Sequence, residues 1–148
     1  MVMGMTSLLC PDAFLSPLEI DAVVTRALAE DLGRAGDITS TATIPEDTQA
    51  RAIVMARKPG VISGLPFVAA SFQKLAPDIA MTAHARDGAN VAAGTALMTV
   101  TGPARAVLSG ERVGLNVLGR LSGIASATHE FVRRVKHTKL RICCTRKT

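Results

Sequence analysis

Arg112 and Asn116 stand four residues apart inside the stretch Gly102 to Ala127, so on a helix they share one face. Thr145-Arg146-Lys147-Thr148 follows the short apolar run Leu140 to Cys144, which reads as a strand ending in two cations. Arg133, Arg134, Lys136, Lys139 and Arg141 crowd the same end of a chain whose net charge is +5. That density suits an anionic partner. Nucleic acid fits poorly, because Tyr and Trp are absent and only 4 Phe occur, too few to stack single-stranded bases. Small anions carrying carboxylates and phosphates fit better. The residues alone therefore point to an α/β domain with an anion site at its C-terminal end.

Other chemistries find little support. His84, His129 and His137 are scattered, and none has a second ligand three or four residues away. Cys10, Cys143 and Cys144 give an odd count without metal-ligand spacing and read as reduced, small, apolar fillers. There is no phosphate-cradling G-x-x-x-x-G-K-[ST] loop and no G-x-S-x-G elbow. With 148 residues, 48% apolar and 20% charged, the chain has the make-up of one globular domain. No apolar run approaches the roughly 20 residues of a membrane span. The first ten residues lack the basic start and long apolar core of a signal peptide, so the expectation is a cytoplasmic protein with no membrane partner.

The elements that position the cations follow from pattern. Ser16-Pro17-Leu18-Glu19 reads as a capping box with proline at the first helical position. Leu18, Val23, Val24, Ala27, Leu28 and Leu32 make its apolar stripe, and Gly33 ends the helix. Gly36 to Thr39 reads as a loop that Asp37 orders by bonding local backbone. Strands are expected over Ala50 to Arg57, Ile79 to Arg86 and Ala96 to Thr101, with a further strand or turn at Gly60 to Gly64. Pro66 opens a helix that buries Phe67, Val68, Phe72 and Leu75. Asp87-Gly88 and Gly94 mark turns. Pro103 then starts the central helix, with Leu108, Leu115, Leu118, Leu121 and Ala125 on its core side. Gly110, Gly114, Gly119 and Gly123 each cost that helix roughly 1 kcal/mol relative to alanine. Close approach by a neighbouring element or a ligand would offset this. A second helix is expected from about Ala125 to Lys136, broken by His137-Thr138-Lys139, before the Leu140 to Thr145 strand.

Four motifs in order resemble the quinolinate phosphoribosyltransferases, also called nicotinate-nucleotide pyrophosphorylases (carboxylating). These are E-D-L-G-R-A-G-D-I-T (Glu30 to Thr39), D-G-x-x-V-x-x-G-x-x-L (Asp87 to Leu97), E-R-x-x-L-N (Glu111 to Asn116) with S-G-I-A-S (Ser122 to Ser126), and T-R-K-T (Thr145 to Thr148). The chain departs from the family at Val113 and Ser126, where threonine is usual, and carries Ala35 as an inserted residue. The resemblance implies an α+β sandwich with its linking helix over residues 1–121. The opening helix and first strand of a β/α barrel follow over 122–148, cut short there.

The implied reaction joins quinolinate to 5-phosphoribosyl-1-diphosphate, with loss of CO2 and pyrophosphate, and gives nicotinate mononucleotide for NAD biosynthesis with the help of Mg²⁺. Arg112, Thr145, Arg146 and Lys147 match substrate-binding residues, and Lys147 is the implied catalytic one. The family's arginine at position 112 serves the neighbouring subunit of a homodimer. The family's remaining active-site groups and Mg²⁺ ligands lie beyond Thr148, so the chain alone is expected to be inactive. A molybdenum-transport-associated homologue shares the fold and T-R-K-T. A non-enzymatic sandwich module is the reading from another class. A lipoyl or biotinyl carrier would need a lysine at the hairpin tip, and Asp87 to Val91 has none.

Overall fold

The structure, a computed structural model, describes residues 15–143. Helix α1 (Pro17–Leu32) starts at Ser16, whose hydroxyl accepts from Leu18 N–H at 3.3 Å. The capping box expected this bond from Glu19, whose N–H goes instead to the Ser16 carbonyl. Val24 and Leu28 are buried as expected, but Leu18 is exposed. Six residues of helix place it about 120° round from Val24, off the stripe. The Gly36 to Thr39 loop gives way to a short helix, α2 (Ile38–Thr43), with Asp37 as its N-cap. The turn chemistry read there was cap chemistry.

Strand β1 (Gln49–Met55), strand β2 (Gly60–Val61), helix α3 (Leu65–Leu75), strand β3 (Ala80–Ala83), strand β4 (Asn90–Val91) and strand β5 (Ala96–Pro103) follow. The main sheet is antiparallel in the order β1-β5-β3, with Ala52 opposite Val100 and Thr82 opposite Thr99. β2 and β4 form a separate antiparallel pair. Val54, Leu97, Met98 and Val100 pack from the sheet against Val68, Phe72, Val107 and Leu118. A second cluster joins Val24 and Leu28 of α1 to Phe67 and Val113. The fold is a mixed α/β sandwich, with helices on one face of a small sheet and α1 outside them.

Helix α4 (Ala104–Val135) departs furthest from the pattern expected of its sequence. Two helices were expected and one continuous helix of 32 residues is found. Pro103 closes β5 and caps α4 rather than opening its first turn. The buried side runs through Val107, Gly110, Val113, Gly114 and Leu118, while Leu108 and Leu115 are exposed. The face was misjudged because glycines carry part of it. A Cβ on Gly110 would lie 2.8 Å from Cδ1 of Phe72, and one on Gly114 would lie 3.5 Å from Cα of Val68. Close approach of α3 therefore accounts for these two glycines. Gly119 and Gly123 would meet nothing within 4 Å.

Beyond the helix the expected strand is absent over its described part. Residues 140–143 belong to no regular element, and Leu140, Ile142 and the free Cys143 are exposed. No neighbouring strand lies beside them among the described residues, so a ladder has nothing to bond. Cys143 is thus not a buried filler, and Cys10 and Cys144 lie outside the described residues.

Candidate functional site

Arg112 projects from α4 with its side chain 73% exposed, and Asn116 is exposed one turn further on. Arg112 Nη1 donates to Asp31 Oδ1 at 3.0 Å, across from the last turn of α1. Asp37 lies close enough for the Arg112 charge to act on it. The Asp37 carboxylate accepts from Ser40 N–H at 2.9 Å, Ser40 Oγ at 2.6 Å and Ser109 Oγ at 2.9 Å. The Ser40 hydroxyl, then the Ser40 amide and the Ser109 hydroxyl, hold its pKa below the usual carboxylate value. Arg105 of α4 donates to the carbonyls of Ile44 and Thr41, so α2 is tied to α4 at both ends. Asp37 is therefore the local organiser the sequence predicts, and it also reaches α4.

The other two described motifs turn out to be fastenings. Ser122 and Ser126, four apart on α4, lie along the backbone of 61–63. Ser126 Oγ accepts from Val61 N–H at 2.9 Å and Ser122 Oγ from Ser63 N–H at 3.0 Å. The same hydroxyls approach the Val61 and Ser63 carbonyls at 3.4 and 3.2 Å. Their i,i+4 spacing was the available signal, and only the fold supplies the strand they meet.

Asp87 accepts from Gly64 N–H at 2.7 Å and Leu65 N–H at 3.1 Å. It caps α3 from 22 residues away, which Gly64, at φ 112° and without a side chain, cannot do. Burial pushes the Asp87 carboxyl up, and the two amide bonds pull the other way.

Between β1, the following corner and α4 lies an open groove of about 1050 Å³, walled by Ile53, Met55, Leu115 and Gly119, with Arg57 and Lys58 at the corner. Arg112 does not line it. Among the described residues no three His, Cys, Asp or Glu come together to hold a metal ion. No helix there is long and apolar enough to cross a membrane. Thr145, Arg146, Lys147 and Thr148 lie outside the described residues, so Arg112 is the one predicted site residue the structure places. Asp31, which sequence reasoning missed, is its partner.

The family model described as "Quinolinate phosphoribosyl transferase, N-terminal domain" matches residues 37–122, more than half of the chain. The chain belongs to this family. Among quinolinate phosphoribosyltransferase relatives, the probable nicotinate-nucleotide pyrophosphorylase [carboxylating] of Bacillus subtilis (strain 168) is 35% identical over 134 residues. That match takes in 90% of this chain and 46% of the relative. The Mycobacterium leprae (strain TN) nicotinate-nucleotide pyrophosphorylase [carboxylating] is 37% identical over 139 residues, covering 90% and 49%. The solved structure of NadC from Streptococcus pyogenes superposes with a TM-score of 0.87 at 30% identity, covering 93% of this chain and 48% of that one. The chain thus spans about half the length of the quinolinate phosphoribosyltransferase relatives it matches.

Proposed function

We propose that this chain supplies the N-terminal part of an enzyme that transfers phosphoribose from 5-phosphoribosyl-1-diphosphate to quinolinate. Decarboxylation gives nicotinate mononucleotide, CO2 and pyrophosphate, a step of NAD biosynthesis in the cytoplasm. The observation that carries this reading is Arg112, an exposed guanidinium held on a rigid helix within the matched family segment. Arginine offers a planar fork that suits a carboxylate, and quinolinate carries two. In this reading Arg112 reaches the site of a partner subunit, and the chain forms a homodimer through its sandwich domain.

Thr145, Arg146 and Lys147 bind the substrate anions, with Lys147 as the catalytic cation beside the phosphates. Arginine there grips carboxylate in a bidentate way, and lysine acts as a point charge. Mg²⁺ would supply charge neutralisation on the diphosphate. Among the described residues no three His, Cys, Asp or Glu come together to hold it.

The 148 residues assayed alone are expected to form no nicotinate mononucleotide. Transition-state charge stabilisation needs more preorganised groups than one exposed arginine and a short basic tail. The assay is nicotinate mononucleotide formation from quinolinate and 5-phosphoribosyl-1-diphosphate, with protein shown free of host enzyme. Turnover in that preparation overturns the expectation of inactivity. The substrate assignment is tested separately by titrating quinolinate against wild type and Arg112→Ala, and equal affinities would refute it.

A further inference from the structure

Helix α1 ends in an acidic pair, Glu30 and Asp31, and has no basic residue in its last turn. That is the wrong sign for a helix C-terminus, where the backbone dipole already presents negative charge. A locally unfavourable choice of this kind is expected where a residue serves something beyond its own helix. What Asp31 meets is Arg112, and the pair is lopsided, because the acid is 16% exposed and the arginine 73%.

The acid is the fixed member. Val24 and Leu28 lock α1 against Phe67 and Val113, and Val113 adjoins Arg112 on α4. The bond uses Nη1 alone. The other edge of the guanidinium, Nε with Nη2, makes no bond among the described residues, and that edge forms a side-on fork for a carboxylate. Asp37, itself tied to Ser109 of α4, places a second negative charge nearby.

We propose that Asp31 is a positioning residue that holds Nη1 of Arg112 and so turns the Nε–Nη2 edge outward to a substrate carboxylate. This rests on the reading of Arg112 as a carboxylate contact. The opposite role can be told apart by sign. If Asp31 acted only through its charge, removing that charge would tighten binding of an anion. If it positions the guanidinium, removing it weakens binding, because a free arginine must be ordered when the ligand arrives.

The test uses the full chain labelled with ¹⁵N-arginine, as wild type, Asp31→Asn, Asp31→Glu and Arg112→Ala, the last assigning the signal. The heteronuclear NOE at Arg112 Nε is expected to be high in wild type, low in Asp31→Asn and recovered in Asp31→Glu. Quinolinate affinity is expected to fall about twofold to fivefold in Asp31→Asn, the range of an exposed ion pair, and to recover in Asp31→Glu. Equal Nε order in wild type and Asp31→Asn overturns the proposal, as does tighter quinolinate binding by Asp31→Asn. Thermal unfolding of each variant checks that the fold is intact. If quinolinate leaves the Arg112 Nε signal of wild type unmoved, the carboxylate reading fails, while the comparison of Nε order still decides whether Asp31 positions Arg112.

Discussion

Replacing Gly110 and Gly119 by alanine should move stability in opposite directions, although both lie in the same helix. In a helix interior the change from glycine to alanine contributes roughly 0.8–1 kcal/mol through backbone entropy. At Gly119 nothing lies within 4 Å of the new methyl group, so that gain is expected in full. For a domain of this size it raises Tm by about 2–5 °C. At Gly110 the methyl group would sit 2.8 Å from Cδ1 and 3.2 Å from Cε1 of Phe72, and 3.4 Å from Cδ1 of Leu75. Phe72 is a core ring only 3% exposed, not the free end of a flexible chain, although part of it borders the groove. Overpacking of this kind costs about 1–3 kcal/mol, which cancels the helical gain and leaves a net loss of up to about 2 kcal/mol. Urea unfolding of the two variants beside wild type measures both signs, provided that the slopes with denaturant agree. If Gly110→Ala is stabilised as much as Gly119→Ala, close approach of α3 is not why glycine stands at 110.

Asp37 and Asp87 should give opposite pH dependences. The Asp37 pKa is lowered, so the stability it confers is present above its ordinary 3.8 and is lost as pH falls through that value toward its folded one. The Asp87 pKa is raised, so its contribution is present below 3.8 and is lost as pH rises through its folded value. Unfolding midpoints of Asp37→Asn and Asp87→Asn, each subtracted from wild type across that range, should slope in opposite senses, and parallel curves would contradict both assignments. Glu130, gripped by Arg133 and Arg134, should titrate at about 2 by carbon NMR, and at an ordinary glutamate value once both arginines are alanine. Ser126→Ala should speed hydrogen exchange at the Val61 amide while leaving that of Ala52 unchanged, since only the former bonds the lost hydroxyl.

The elements with clean periodicity were legible in the sequence. Val24 and Leu28 of α1, and Phe67, Val68 and Phe72 of α3, are buried where their spacing places them. The face of α4 was not legible, because Gly110 and Gly114 form the contact and have no side chain to count. The join between its halves was missed for a related reason. Gly119 and Gly123 weaken helix propensity, but the bonds of Ser122 and Ser126 to residues 61–63 brace the helix just where propensity falls. At the candidate site Arg112 was identified by resemblance. Asp31 lies 81 residues earlier and its contact is set by packing of α1 on α4, which no local pattern encodes.

The unbroken run of α4 also fixes which changes of length the chain can absorb. Its 32 residues make a rod of about 48 Å, and every side chain on it has a phase set by all those before it. One residue inserted between Leu118 and Ser122 would turn everything downstream by about 100° and push it on by about 1.5 Å. Leu118 would stay in the core, while Ser122 and Ser126 would leave the backbone they bond. Insertions at the Asp87-Gly88 or Gly94 turns carry no such penalty in phase. Between Leu118 and Ser126, spacing is therefore expected to be held to the residue even where side-chain identities drift.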